Sequence, residues 1–275
     1  MAYNLNNKLV IAISSRALFD LEEENQIFEK DGLDAYYKYQ LENEDKSLKK
    51  GTGYRLVENI LKINSFFSSD ERQVEVIILS KNNAATSLRI TNAINDLKLD
   101  IIRSAWTSGT NISNYLKAFK VDLFLSADDN DVLNAIENGV AAAKILPSNE
   151  NIHNSSNNQV RIAFDGDAVL FSEESELVYK NNGLDAFIEH EKLNKDNPLE
   201  MGPFAKLLLT IAKIQAKFPT DKSPIRTALV TARSAPTHER VIKTFNVWGV
   251  RVDEAFFLGG TDKYEILEAF GADIF

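Results

Sequence analysis

The chain has 275 residues, 44% of them hydrophobic and 26% charged, which is enough for one large globular core or two smaller ones. Its formal net charge of -9 argues against binding a nucleic-acid polymer or an anionic membrane over a broad surface, because such binding needs clustered lysine and arginine. The lack of cysteine excludes a disulfide, a thiolate nucleophile and a cysteine-based zinc site in these residues.

The sequence carries no recognisable signal for export or membrane insertion. The N-terminal segment MAYNLNNKLVIAISSRALFD lacks the basic start and apolar core of a signal peptide. No apolar run approaches the roughly 18 residues of a membrane span. We therefore expect a cytoplasmic chain with no membrane partner, which the lack of cysteine also favours.

Strand-like and helix-like runs alternate through the first half of the chain. The runs KLVIAI, VEVIIL, DIIRSAW and VDLFL are typical of strands, and amphipathic stretches lie between them. This alternation predicts an α/β fold, with mostly parallel sheets and flanking helices. Residues 147 to 159, PSNENIHNSSNNQ, carry almost no apolar side chain and are typical of a linker.

Three blocks of the first half recur in the second half at one constant offset. IFEKDGLDAYYKY (27 to 39) aligns with VYKNNGLDAFIEH (178 to 190), VEVIILSKNNAATSLRITNAI (74 to 94) with IRTALVTARSAPTHERVIKTF (225 to 245), and LKAFKVDLF (116 to 124) with LEAFGADIF (267 to 275). The differences 178 minus 27, 225 minus 74 and 267 minus 116 are each 151. This repetition predicts two duplicated Rossmann-like units, at 1 to 147 and 160 to 275, joined by a linker at 148 to 159.

The repeats differ in extent. The first repeat continues with LSADDNDVLNAIENGVAAAKILP at 125 to 147, which predicts the end of a strand, a helix and a further strand. The second repeat has no counterpart to this segment before Phe275. We therefore expect the second unit to be truncated in mid-strand.

Two aspartates, Asp165 and Asp167, follow an apolar run in the segment RIAFDGDAVLF. At the offset of 151 they align with Ser14 and Arg16, so the carboxylate pair belongs to the second repeat alone. Neighbouring carboxylates raise each other's pKa, and removing a carboxylate from water costs on the order of several kcal/mol. A cation that shares their field would explain why the chain places them at the edge of its core.

Two more polar residues are expected at the same edge of the sheet. Thr231 ends the run TALVT, and Lys263 follows Gly259 and Gly260 at the start of a predicted helix. Ligands of open α/β sheets bind outside the carboxyl ends of the strands, so these residues should converge on Asp165. A carboxylate can attack phosphorus when Mg²⁺, a lysine and a hydroxyl offset the repulsion, and a second carboxyl can serve as acid and base.

The motifs resemble those of a known family. FDGDAVLF resembles the first motif of the haloacid dehalogenase superfamily of phosphatases, LVTAR the second and GGTDK the third. More narrowly, AFDGDAVLFSEESE, EAFFLGGTDK, EAFGADIF and SSRALFDLEEEN resemble the cytosolic 5′-nucleotidases of type I and their bacterial relatives, over nearly the whole chain. The resemblance implies a magnesium-dependent enzyme that hydrolyses nucleoside 5′-monophosphates through an aspartyl-phosphate.

Roles follow from the resemblance, position by position. It implies that Asp165 is the nucleophile, Asp167 the general acid and base, Thr231 a phosphate ligand and Lys263 a neutralising charge. It also implies that Asp165 and the backbone carbonyl of Asp167 hold Mg²⁺, and that an acidic fourth motif follows Phe275. The predicted substrate-binding residues are Thr231, Ala232, Arg233 and Lys263 of the catalytic second unit, with Ser14 and Arg16 of the degenerate, non-catalytic first unit.

Other interpretations stay open. Arg233 could pair with a surface carboxylate instead of phosphate, and Ser14 to Arg16 could form a plain polar turn after a strand. The enzyme could act on another small phosphorylated metabolite such as a sugar phosphate, or the chain could be a catalytically silent nucleotide-binding module. The sequence leaves the preferred base and the presence of a homo-oligomer undetermined.

Overall fold

A computed structural model describes residues 3 to 146 and 159 to 275. The chain divides into two compact units, Met1–Asn154 and Ser155–Phe275. Of the linker predicted at 148 to 159, all but Gln159 lies outside the described residues. Each unit has a parallel sheet flanked by helices, which confirms the predicted α/β fold class.

The first unit is built on a five-stranded parallel sheet in the order β5-β4-β1-β6-β7. Strands β1 and β4 are buried at every residue, which is why both appear in the sequence as continuous apolar runs. In chain order the elements are β1 (Leu9–Ile13), α1 (Ser15–Leu18), β2 (Phe19–Asp20), α2 (Glu22–Glu42), β3 (Lys49–Lys50), α3 (Tyr54–Lys62), β4 (Val74–Ser80), α4 (Leu88–Asp96), β5 (Arg103–Trp106), α5 (Ser113–Ala118), β6 (Leu123–Ser126), α6 (Asp129–Glu137) and β7 (Ala142–Lys144).

The second unit repeats the same plan around a three-stranded parallel sheet in the order β10-β9-β8. Its elements are β8 (Val160–Phe164), α7 (Glu174–Leu193), α8 (Ala205–Gln215), β9 (Ile225–Thr231), α9 (His238–Trp248), β10 (Glu254–Phe257) and α10 (Tyr264–Phe270). Pro236 follows the run TALVT closely and predicts a helix that begins there, because proline is favoured in the first turn of a helix. Helix α9 begins two residues later, at His238, after the Thr237 amide donates to the Ser234 carbonyl and closes a turn. Within the described ranges, no helix has the length and apolarity needed to cross a membrane.

The strand register confirms the duplication. Ile11 of β1 lies opposite Leu123 of β6, and Ile162 of β8 lies opposite Ile274 in a parallel bridge. Position 162 minus 11 and position 274 minus 123 are both 151, the offset found in the sequence. The repeated sequence blocks therefore pair with their neighbours in the same register in both units.

Hydrogen bonds repeat at the same offset. The Asp122 carboxylate accepts a hydrogen bond from the Val10 amide at 3.0 Å, and the Asp273 carboxylate accepts one from the Arg161 amide at 2.7 Å. In each unit the aspartate amide also donates back to the same residue's carbonyl at 2.8 Å. In the first unit Asp122 directly precedes β6 and links it to β1. In the second unit Asp273 directly precedes Ile274 and links this segment to β8.

The GLDA motif shared by the repeats marks a break in a long helix. Gly32 in α2 has φ 84°, and Gly183 in α7 has φ 82°. Side chains rarely tolerate this backbone conformation, whereas glycine adopts it readily. The glycine therefore lets the helix change direction at the same point of each unit.

One pair of charges is reversed between the units. In the first unit Arg103 of β5 contacts Glu75 of β4 at 2.6 Å. In the second unit Glu254 of β10 contacts Arg226 of β9 at 2.7 Å. At equivalent positions, acid and base have exchanged strands, so each sheet keeps the ion pair with opposite polarity.

Candidate active site

Asp165 and Lys263 form the centre of the candidate site. Asp165 directly follows β8, and its side chain is 36% exposed. One carboxylate oxygen accepts a hydrogen bond from the Gly166 amide at 2.7 Å, and the other from Lys263 Nζ at 2.5 Å. Lys263 immediately precedes α10, as predicted from the sequence. The contact brings a candidate nucleophile and a neutralising cation together.

Thr231 lies beside the turn that carries Asp165. It is the last residue of β9 and is buried, and its hydroxyl oxygen accepts a hydrogen bond from the Arg233 amide at 3.2 Å. A Cβ atom placed on Gly166 would lie 3.1 Å from that oxygen. Because residue 166 is glycine, the threonine hydroxyl can approach the aspartate turn closely.

The turn after Asp165 has an unusual backbone. Ala168 has φ 61° and ψ 3°, in the left-handed region that residues other than glycine seldom occupy. Such a residue costs about 1–2 kcal/mol. The equivalent residue in the first unit, Ala17, lies in the regular helix α1. The two units therefore differ in conformation at the position of the aspartate pair.

Asp167 is held by a buried arginine. Arg233 Nε donates to one carboxylate oxygen of Asp167 at 2.9 Å, and Nη2 donates to the other at 2.6 Å. The arginine side chain is 1% exposed and the Asp167 side chain 21%. A two-pronged contact of this kind fixes both position and orientation of a carboxylate. The structure pairs Arg233 with Asp167, and substrate binding by Arg233 stays a prediction.

Behind Arg233 lies Glu191, a buried residue of α7. Its carboxylate accepts hydrogen bonds from Arg233 Nη1, from Arg240 Nη1 at 2.9 Å and from the Ser175 hydroxyl at 2.8 Å. Burial raises the pKa of Glu191, but the charge of Arg233 and hydrogen bonds from Ser175 and Arg233 outweigh it, so the pKa lies below its ordinary value. Burial lowers the pKa of Arg233, but Asp167 and Glu191 outweigh it, so that pKa is raised.

The first unit contains a matching buried cluster with the charge on a different residue. Arg89 Nη1 donates to Glu24 at 2.6 Å and to the Gln40 side-chain oxygen at 3.4 Å. At the offset of 151, these three residues align with Arg240, Ser175 and Glu191. The run Glu22, Glu23 and Glu24 predicts a solvated first turn of a helix, where acidic residues are favoured. Glu24 is instead buried, because it pairs with Arg89. Glu191 was not predicted from the sequence, although its alignment with Gln40, a polar residue of the first repeat, is a signal that points to it.

The described side chains at the site offer few free oxygen ligands for Mg²⁺. Within the described residues, no group of three or more histidine, cysteine, aspartate or glutamate side chains is arranged to hold a metal. Both carboxylate oxygens of Asp167 accept from Arg233, whereas each oxygen of Asp165 accepts one hydrogen bond and keeps a second lone pair. Mg²⁺ commonly binds through one or two carboxylates, with water and phosphate completing its shell. The Asp165 carboxylate therefore fits a partial magnesium site.

The remaining predicted site residues lie in two places. Ala232 is exposed between Thr231 and Arg233 in the second unit. Ser14 and Arg16 belong to the first unit, where both line a cavity of about 530 Å³. Ser14 also accepts a hydrogen bond from the Ala17 amide at 3.3 Å, so it caps α1.

The chain is similar to known proteins over its whole length. Residues 1 to 275 match the family model described as 5′-nucleotidase. Over 278 residues the chain is 37% identical to cytosolic 5′-nucleotidase 1B of Homo sapiens, and the match covers 98% of this chain and 45% of that protein. The chain thus spans a little under half the length of this curated relative. On the whole-length match and this identity, the chain belongs to the 5′-nucleotidase family.

Proposed function

We propose that this chain is a magnesium-dependent phosphoric monoester hydrolase that converts nucleoside 5′-monophosphates to nucleoside and phosphate through an aspartyl-phosphate. Family membership and the name of the human relative support the class of activity. The observation that carries the proposal is the direct contact of Lys263 with Asp165, beside the Thr231 hydroxyl. In this proposal the second unit is catalytic and the first is not.

The first chemical step uses the Asp165 carboxylate as nucleophile. One of its oxygens forms a bond to phosphorus while the bond from phosphorus to the nucleoside 5′ oxygen breaks. Lys263 offsets the negative charge that accumulates on the phosphoryl oxygens. Thr231 Oγ1 accepts from the Arg233 amide, which leaves its hydroxyl hydrogen available to donate to a phosphoryl oxygen.

Asp167 acts as general acid in the first step and as general base in the second. In the first step the protonated carboxyl of Asp167 gives its proton to the departing nucleoside oxygen and becomes a carboxylate. In the second step Asp167 takes a proton from water, and the water oxygen forms a bond to phosphorus while the bond from phosphorus to Asp165 breaks. Phosphate is released and the Asp165 carboxylate is restored. The two contacts from Arg233 hold the Asp167 carboxylate in a fixed place for these transfers.

Magnesium, when bound, would supply positive charge between the nucleophile and the phosphate. The Asp165 carboxylate and the backbone carbonyl of Asp167 would hold it, and water and phosphate oxygens would complete the shell. The human relative is named as a cytosolic protein, and we propose the same location for this chain.

The test is a phosphate-release assay on a substrate panel with and without Mg²⁺. AMP and UMP represent nucleotides, and ribose 5-phosphate and glucose 6-phosphate represent sugar phosphates. We expect Mg²⁺-dependent release from the nucleotides, reduced at least about 1000-fold by Asp165→Asn and about 100-fold by Lys263→Met. Asp185→Asn and Lys243→Met, which alter surface residues of the same types, should stay within about twofold of the parent.

Each outcome of this panel is informative. Release from sugar phosphates in preference to nucleotides would replace the substrate class, and tight AMP binding without release would favour a silent binding module. The intermediate is tested by rapid acid quench with ³²P-labelled AMP, which should leave hydroxylamine-sensitive label on the parent protein and none on Asp165→Asn. Full activity of Asp165→Asn would refute the mechanism.

A further inference from the structure

The first unit holds a cavity at the place that corresponds to the catalytic centre of the second. The cavity measures about 530 Å³, within the usual range for small-ligand sites. Ser14, Ser80 and Ser126 line it, at or just after the carboxyl ends of β1, β4 and β6. At the offset of 151, Ser14 aligns with Asp165 and Ser80 with Thr231. Ligands of open α/β sheets bind at this edge.

A chain of hydrogen bonds ends at an unpaired donor of Asn82, a residue that lines the cavity. Arg89 can only donate, so it fixes the Gln40 side-chain oxygen as the acceptor at 3.4 Å. Gln40 Nε2 then donates to the Tyr36 hydroxyl at 3.0 Å, and that hydroxyl donates to Asn82 Oδ1 at 2.9 Å. Asn82 Nδ2 is buried and has no hydrogen-bond partner within the described part of the chain. An acceptor atom on a ligand would satisfy it.

The cavity lining carries both cations and carboxylates. Arg16 and Lys81 line it together with Glu24, Asp128 and Asp131. Lys81 pairs with Asp131 at 2.6 Å and Glu24 pairs with Arg89 at 2.6 Å. Arg16 contacts Glu22 only at 3.7 Å, with both side chains partly exposed, so Arg16 is the lining cation best placed to meet an oxyanion. At the aligned position of the catalytic carboxylates stand Ser14 and a cation, Arg16, so no bound metal is needed to offset carboxylate charge there.

Part of the cavity lining is aromatic and apolar. The rings of Phe28 and Tyr36 meet edge to face with centroids 6.0 Å apart, and Leu21 and Leu33 also line the cavity. A planar aromatic group packs well against aromatic rings. The cavity therefore combines a cation and polar groups with aromatic side chains.

We propose that this cavity is a second binding site, which takes a phosphate monoester with a planar aromatic group, without a metal and without hydrolysing it. The residues that align with the nucleophile and the catalytic lysine are Ser14 and Ile112, so the machinery for phosphoryl transfer is missing from this site. The proposal concerns binding and stands independently of the activity proposed for the second unit.

The test is isothermal titration calorimetry in EDTA, with the Asp165→Asn chain so that no turnover occurs. AMP and phenyl phosphate should bind at least about tenfold more tightly than adenosine or inorganic phosphate. Asn82→Asp keeps the shape and still accepts from Tyr36, but replaces the free donor with a negative charge. It should weaken AMP binding at least about tenfold. Arg16→Gln, at a partly exposed position, should weaken it similarly, and Lys243→Met, at a surface position of the second unit, should leave it unchanged.

Several results would overturn the proposal. Adenosine binding as tightly as AMP would show that phosphate is not recognised, and no detectable binding would show that the cavity takes no such ligand. Loss of binding in Lys263→Met with no effect of Asn82→Asp and Arg16→Gln would assign the heat to the second unit. Equal urea midpoints of Asn82→Asp and its parent would exclude misfolding as the cause of lost binding. Because no phosphate release is measured, failure here leaves the phosphate-release result unaffected.

Discussion

Glu191→Gln tests whether a buried carboxylate holds the second unit together. Glu191 and Arg233 are almost completely inaccessible to solvent, and Glu191 also accepts from Arg240. Removing one member of a buried ion pair costs about 3–5 kcal/mol, because it leaves an uncompensated charge. Here Asp167 still pairs with Arg233, and Glu174 lies 3.6 Å from Arg240. We therefore expect a loss near the lower limit, about 3 kcal/mol.

The first unit suggests how this loss can be reversed. In the first unit the buried carboxylate is Glu24 and the amide is Gln40. In the second unit the residue aligned with Glu24 is Ser175, and the carboxylate, Glu191, stands at the position aligned with Gln40. The double variant Ser175→Glu, Glu191→Gln would reproduce that arrangement in the second unit. It should recover about half of the lost free energy, because the new carboxylate would face Arg240 as Glu24 faces Arg89.

The assay is equilibrium unfolding in urea with tryptophan fluorescence. The chain has two tryptophans, Trp106 in the first unit and Trp248 in the second, so a Trp106→Phe background makes Trp248 the reporter of the second unit. A loss below about 0.5 kcal/mol in the single variant would refute the importance of the charge. A double variant no more stable than the single one would refute the equivalence of the two clusters.

Three further predictions concern stability. The pKa of Glu191 is lowered in the folded chain, so its ionised carboxylate stabilises the fold fully above the ordinary pKa of 4.5. This stabilisation is lost as the pH falls below that value. Between pH 6 and pH 3.5 the urea midpoint should therefore drop more in the parent than in Glu191→Gln. Gly202→Ala should cost about 1–3 kcal/mol in urea unfolding, since its Cβ would clash with two backbone carbonyl oxygens, and a neutral effect would contradict the packing. Asp122→Ala should cost about 1–3 kcal/mol by leaving the buried Val10 amide unpaired, whereas the equivalent change at exposed Asp273 should cost less; equal losses would argue against burial as the cause.

The fold was predictable because the two repeats carry the same pattern of apolar runs. Parallel strands covered on both faces need continuous apolar sequence, and the offset of 151 fixed which strands correspond. The start of α9 was not predictable to the residue, because a local turn between Ser234 and Thr237 delays it. The burial of Glu24 was not predictable from its neighbours, since its partner Arg89 lies 65 residues away.

The site was predictable in part for a similar reason. The rule that strands of a parallel sheet present their carboxyl ends at one edge was enough to bring Asp165, Thr231 and Lys263 together. The link from Asp167 through Arg233 to Glu191 depends on how far an arginine side chain reaches across the unit. No spacing in the sequence encodes that reach.

The reversed ion pairs have a consequence for how the chain folds. Because the two units pair their strands in the same register, a strand of one unit can pair wrongly with a strand of the other during folding. Misassembly of this kind is a known hazard of repeated domains. If β4 paired with β10, Glu75 would face Glu254, and if β9 paired with β5, Arg226 would face Arg103. Like charges on neighbouring strands repel, so the exchange of acid and base disfavours pairing between strands of different units.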